Sequence, residues 1–188
     1  WMPRTNIRGL YEVGDEVSCR VSASDGFTEG SSVTSESVFV ANRPPTATQV
    51  EIVPAVLYVD SEMTCALMDY YDEDLNDDQS TVQWLLNGAP VTGATGETWS
   101  VYDEATESSL LSIGDVVTCE IQPSDGIDSL PVLTISKTVV NKPPEVLVGY
   151  ISPAQPSSSS PISIHAITRD VDGDEVTLQY DWYLNGQL

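Results

Sequence analysis

An all-β chain of tandem antiparallel sandwiches, one complete and two partial, is the architecture that the sequence predicts. Three observations lead there: a self-similarity with a period near 100 residues, an apolar-polar alternation of period two, and turn dipeptides at recurring places.

The repeat sets the domain plan. The run GDEVSCRVSASDG from Gly14 returns from Gly114 as GDVVTCEIQPSDG, a shift of 100. Asn42-Arg43-Pro44-Pro45 returns as Asn141-Lys142-Pro143-Pro144, a shift of 99, and VQWLLNG ending at Gly88 returns as YDWYLNG ending at Gly186, a shift of 98. Solenoid units run roughly 20 to 50 residues, so a period near 100 marks domains that each bury their own core. The double prolines then delimit a complete domain at 43–142, with the C-terminal part of one domain at 1–42 and the N-terminal part of another at 143–188. Trp1 and Leu188 are therefore expected to fall inside domains of a longer chain. The two half-domains nearly complement each other, lacking only a counterpart of residues 91–100, so completion by a neighbouring chain stands beside completion within one chain.

Each strand is predicted by alternation. Val117, Cys119 and Ile121 share one face while Thr118 and Glu120 take the other, and the same phase runs through Val17, Cys19 and Val21, through Val82, Trp84 and Leu86, and through Leu178, Tyr180, Trp182 and Leu184. Asn87-Gly88, Asn185-Gly186, Asp25-Gly26 and Asp125-Gly126 supply the residues that tolerate positive φ in tight turns. One short helical turn is expected between Tyr102 and Leu111. The paired prolines at the joints restrict φ and extend the chain between domains.

Twenty-nine acidic residues against seven basic ones give a net charge of −22. Such a surface repels phosphate backbones and anionic lipid, which argues against a nucleic-acid partner. No run of 18 apolar residues occurs, so no membrane insertion is expected of this segment.

Cys65, Trp84 and Cys119 follow one another in the order and approximate separation that an immunoglobulin sandwich uses on its strands B, C and F. With the Asn-x-Pro-Pro joint, the acidic turn ahead of the W-x-x-LNG strand and the cysteine strand ending in Ser-Asp-Gly, the chain resembles the tandem immunoglobulin-like (PKD or cadherin-like) repeats of large bacterial and archaeal surface proteins. Val117 stands where antibody domains carry a tyrosine, so the resemblance extends to architecture and not to the antibody family. It implies a Cys65–Cys119 disulfide, which would add on the order of 4 kcal/mol by chain entropy and would call for an oxidising compartment. Two buried thiols beside Trp84 are the alternative. Cys19 corresponds to Cys119, so its partner is expected upstream of Trp1; the third repeat has Ser163 or Ile164 where Cys65 would fall.

Ahead of each tryptophan strand lies a ladder of oxygen-bearing side chains: Asp72, Asp74, Asn76 and Asp78 in the complete domain, Asp170, Asp172 and Asp174 in the third. Oxygens at alternate positions converge when a loop curls around a cation, and hard oxygen ligands suit calcium rather than zinc or copper. The ladder is no EF-hand, because Gly173 sits at the fourth position and no glutamate closes the loop at the twelfth. Solvated turns, which aspartate and asparagine favour in any case, are the competing reading. Leu75 occupies the place where Gly173 eases the second ladder. In an immunoglobulin sandwich the B–C and F–G loops share one pole, so Asp125 is expected near Asp72 and Asp74, with Asn42 close by.

Catalytic constellations are not found in the sequence. His165 is the single histidine, with no HExxH helix, no GxSxG elbow and no glycine-rich phosphate loop. The expected function is that of a non-catalytic extracellular or cell-surface segment, a calcium-stiffened rod, stalk or surface fibre serving structure or adhesion. Its partners would be neighbouring repeats, copies of itself in a fibre, or surface glycans. The alternative is a carbohydrate-binding accessory module of a secreted enzyme, with Trp99, Tyr102, Tyr70 and Tyr71 as candidate rings.

Overall fold

The computed structural model describes residues 10–103, 105–106 and 108–188. Among them every regular element is a strand. The first stretch forms β1 (Glu16–Val17), β2 (Arg20–Ser24), β3 (Glu29–Thr34) and β4 (Val38–Phe39). The middle forms β5 (Gln49–Val53), β6 (Glu62–Met68), β7 (Thr81–Leu86), β8 (Ala89–Pro90), β9 (Thr98–Ser100), β10 (Tyr102–Asp103), β11 (Ser108–Ser109), β12 (Val116–Gln122) and β13 (Leu133–Thr138). The last stretch forms β14 (Glu145–Ser152) and β15 (Ser163–Arg169).

Pairing is antiparallel in two-stranded sheets β1-β4, β2-β3, β10-β11 and β14-β15. A three-stranded sheet runs β5-β6-β9 and a four-stranded sheet runs β13-β12-β7-β8. The β7-β8 hairpin pairs Leu86 with Ala89 across Asn87-Gly88, whose φ values of 51° and 81° match the twist of the flanking strands.

The chain divides into two compact units whose boundaries fall inside β5, β6, β7, β12 and β13. The first takes the residues up to Val50 with Leu67–Val82 and Ile121–Leu133. Among its described residues, Val50, Val82 and Ile121 are the buried aliphatic ones, beside Pro45 and Pro123. Two carboxylates, Asp72 and Asp125, are buried there as well.

The second unit takes Glu51–Ala66, Gln83–Glu120 and Thr134–Leu188. Alternation places Met63 and Cys65 of β6, Trp84 of β7 and Val117 and Cys119 of β12 in its core, each fully buried. Cys65 and Cys119 are joined by a disulfide, with Cα atoms 6.3 Å apart. Trp84 packs on Trp99 at 5.6 Å between ring centroids, and its Nε1–H donates to the Gly96 carbonyl at 2.9 Å, so the buried indole keeps no unsatisfied donor.

The repeat is legible in backbone bonds. The Gly14 N–H donates to the Val40 carbonyl at 2.9 Å, as the Gly114 N–H does to Val139 at 2.9 Å. Asp15 Oδ2 accepts from the Glu12 N–H at 2.8 Å, and Asp115 Oδ2 accepts from the Ser112 N–H at 2.8 Å.

Two sequence expectations are corrected. The helical turn foreseen between Tyr102 and Leu111 is the β10-β11 hairpin, pairing Tyr102 with Ser109. Its polar side chains bond to backbone instead of leaving it to a helix: Asp103 Oδ1 accepts from the Ala105 N–H at 2.9 Å, and Ser109 Oγ donates to the Val59 carbonyl at 2.6 Å. The alternating stretch Leu178–Leu184 forms no strand beyond the isolated Leu184–Gln187 bridge. Its counterpart β7 is held between β8 and β12, whereas among the described residues no strand lies beside this stretch.

Candidate metal site

The first acidic turn follows β6. Asp72 directs Oδ1 back onto its own loop, accepting from the N–H groups of Asp74 at 2.8 Å and Asn76 at 3.1 Å. This curls the chain so tightly that Leu75 takes φ = 65°, in the left-handed region. Asp72 is only 5% exposed, and its Oδ2 has no hydrogen-bond partner. Asn76 Oδ1 is buried without a partner too.

The joint closes on this turn. Asp74 Oδ2 accepts from the backbone N–H of Arg43 at 2.7 Å, while the Arg43 guanidinium pairs with Glu73. The Asn42 amide nitrogen is held by the loop after β12, donating to Asp125 Oδ2 and to Asp128 Oδ2 at 2.8 Å each. Asn42 Oδ1 is a third buried oxygen without a partner. Asp125 Oδ1 in turn accepts from the N–H groups of Ile127 at 2.7 Å and Asp128 at 2.6 Å. Burial pushes the Asp125 carboxyl up, but the Asn42 amide and these backbone donors outweigh it and hold the group below its ordinary value. Tyr70 donates to the Ser124 carbonyl at 3.2 Å. Its hydroxyl is raised by burial first and then by the negative charge of Asp78, Asp72, Asp125 and Asp77.

The second turn repeats the first almost bond for bond. Asp170 Oδ1 accepts from the N–H groups of Asp172 at 2.9 Å and Asp174 at 3.2 Å, and Gly173 takes φ = 83° where Leu75 takes 65°. Asp172 Oδ2 accepts from the Lys142 N–H at 2.6 Å. The Lys142 ammonium pairs with Asp60 over the face of Tyr58. One carboxylate oxygen from each of Asp170, Asp172 and Asp174 lies within 4.8 Å of the others, and Asp172 Oδ1 is buried without a partner.

Asp72, Asp74 and Asn76 thus share one turn, Asp170, Asp172 and Asp174 share another, and Asn42 ties Asp125 to the joint. Asp78 Oδ1 accepts from the Ser80 N–H at 2.9 Å and from the Ser80 hydroxyl at 2.5 Å. Asp128 was not among the residues expected from sequence, although it follows Asp125 by three and closes the same turn. The backbone N–H of Arg43 and of Lys142, with no side-chain signature, was not anticipated either.

These turns offer hard, negatively charged oxygens and no nucleophile with an adjacent base. His165 is exposed and stacks on Tyr150 at 5.1 Å. No family model, no curated protein and no solved structure matches the chain.

Proposed function

We propose that this chain is a non-catalytic structural segment of an extracellular or cell-surface protein, in which tandem immunoglobulin-like sandwiches form a calcium-stiffened rod, stalk or surface fibre. The observation that carries the reading is one joint geometry used twice. Arg43 and Lys142, each preceding a double proline, donate their N–H to the middle aspartate of the acidic turn that follows, at 2.7 and 2.6 Å. A chain that only needed soluble turns has no reason to tie each turn to the joint ahead of it.

Calcium fits the oxygen-only clusters and would offset part of the net charge of −22. The Cys65–Cys119 disulfide supports an oxidising compartment. In such an array the partners are neighbouring repeats of the same chain or copies of it in a fibre. The carbohydrate-module alternative loses its largest ring, since Trp99 is buried against Trp84; Tyr71 is the one of its four candidates with a mostly exposed side chain.

Thermal unfolding of the 188-residue chain under oxidising conditions, in millimolar calcium and then in chelator, tests the proposal. A calcium-dependent rise of several degrees that Asp72→Asn and Asp172→Asn reduce is the expected outcome. A melting temperature indifferent to calcium would remove the stiffening ion from the reading, and a saccharide-dependent change in fluorescence would transfer support to the carbohydrate module.

A further inference from the structure

Three buried oxygens around the first joint lack any donor: Asn42 Oδ1, Asp72 Oδ2 and Asn76 Oδ1. All three are acceptors. The orientation of the Asn42 amide follows from its surroundings, because the opposite flip would aim its carbonyl oxygen at the carboxylates of Asp125 and Asp128. Asp72 is a carboxylate 5% exposed, and burying half of its charge unpaired is costly. The basic side chains of the same unit are engaged elsewhere among the described residues: Arg20 donates to Ser32 and Arg43 pairs with Glu73. Among the described residues of this unit, no basic side chain supplies the positive charge that would satisfy these oxygens.

Resting on the calcium reading of the acidic turns, we propose that Asn42 Oδ1, Asp72 Oδ2 and Asn76 Oδ1 are ligand atoms of one calcium-sized divalent cation, and that Asp128 positions the Asn42 amide for it. One carboxylate and two neutral amide oxygens make a hard set of low charge. Water completes the shell, and affinity falls in the range of about 10⁻⁴ to 10⁻³ M typical of extracellular modules. The bonded path from Arg43 to Asp74 to Asp72 brings the joint to the turn, and Asn42, one residue before Arg43, brings it to the Asp125 loop. A single ion then fastens three separate segments, which a ligand set confined to the turn could not do. The two acidic turns are unequal in this respect. Asn141, the counterpart of Asn42, is exposed, and the second turn offers one buried partnerless oxygen, Asp172 Oδ1.

Terbium titration of the 188-residue chain, read by luminescence excited through Tyr70 and the other aromatic residues and competed with calcium, tests the assignment. Asp170→Asn with Asp172→Asn, which silences the second turn, is made in the background of every protein compared. Asn42→Ala is expected to weaken the remaining site about 10-fold or more, and Asp128→Ala, which leaves the ligand atoms in place, to weaken it by about 10-fold. Asn42→Asp keeps an oxygen for the ion but sets a third carboxylate against Asp125 and Asp128, so its unfolding midpoint should fall in chelator and recover in calcium. That recovery keeps the test decisive even if Asn42→Ala does not fold. Affinity unchanged by Asn42→Ala yet lowered by Asp72→Asn would overturn the role of Asn42 and leave the calcium-stiffened reading standing. No terbium or calcium binding with only the second turn silenced would end the assignment, and none by the chain with both turns intact would end the calcium reading as well.

Discussion

The backbone N–H of Arg43 donates to Oδ2 of Asp74, 31 residues further along the chain, at 2.7 Å. The bond makes the acidic turn a clamp on the joint whether or not an ion is bound. Asp74→Ala removes the acceptor and should cost about 1 to 2 kcal/mol, whereas Asp74→Asn retains an accepting oxygen and should cost less than about 1 kcal/mol. Urea unfolding in chelator separates this role from metal binding. Equal losses for the two variants would mean that the aspartate acts through its charge and not as an acceptor.

Leu75 sits at φ = 65° with its side chain 83% exposed, so it bears left-handed strain with little packing in return. Its counterpart Gly173 adopts φ = 83° with open space where a Cβ would stand. Leu75→Gly should therefore stabilise the chain by up to about 1 kcal/mol, the relief of strain exceeding the added freedom of the unfolded state. A loss of stability on denaturant unfolding would show that the leucine contributes packing that its exposure conceals.

The Leu75–Gly173 pair also marks what was legible in the sequence. Oxygens at alternate positions and the glycine of the second ladder pointed to a curled turn, whereas Leu75 in the first counted against the ion such a turn would hold. Strand phase was equally plain where both faces pack, as at Val117, Cys119 and Ile121. The direction of each carboxylate was not legible. Asp78 continues the ladder in the sequence, and no pattern there announces that its Oδ1 takes both the Ser80 N–H at 2.9 Å and the Ser80 hydroxyl at 2.5 Å. Leu178–Leu184 has the alternation of a strand without its neighbours, and periodicity cannot report whether a ladder partner is present. Asp128 escaped notice because its role depends on where Asn42 arrives, 86 residues earlier in the chain.

Asp115 introduces a pH dependence of known sign. The Asn87 amide, donating at 2.8 Å, and then the Ser112 N–H hold its carboxyl below the ordinary value of 3.8. A depressed carboxylate contributes stability that is fully present above its unfolded-state value and is lost as pH falls from there through the folded value. Asp115→Asn keeps the accepting oxygen but not the charge. Its unfolding midpoint should drop less than the parent's between about pH 6 and pH 3. Parallel midpoint curves would show that Asp115 takes no part in acid unfolding.

The disulfide closes 54 residues around the packed pair Trp84 and Trp99, joining β6 to β12 through two fully buried sulfurs. Removing it by Cys65→Ala with Cys119→Ala frees the unfolded chain and leaves two small voids beside Trp84. A loss of about 2 to 5 kcal/mol is expected. Cys19 is an exposed free thiol, so Cys19→Ser should leave stability within about 0.5 kcal/mol while abolishing alkylation of the native chain. Guanidinium unfolding followed by tryptophan fluorescence reports both, because Trp84 senses the β6-to-β12 core directly. If the double variant unfolded at the parent's midpoint, this unit would be held by its strand packing alone. The disulfide's place in a mechanically resistant rod would then fall.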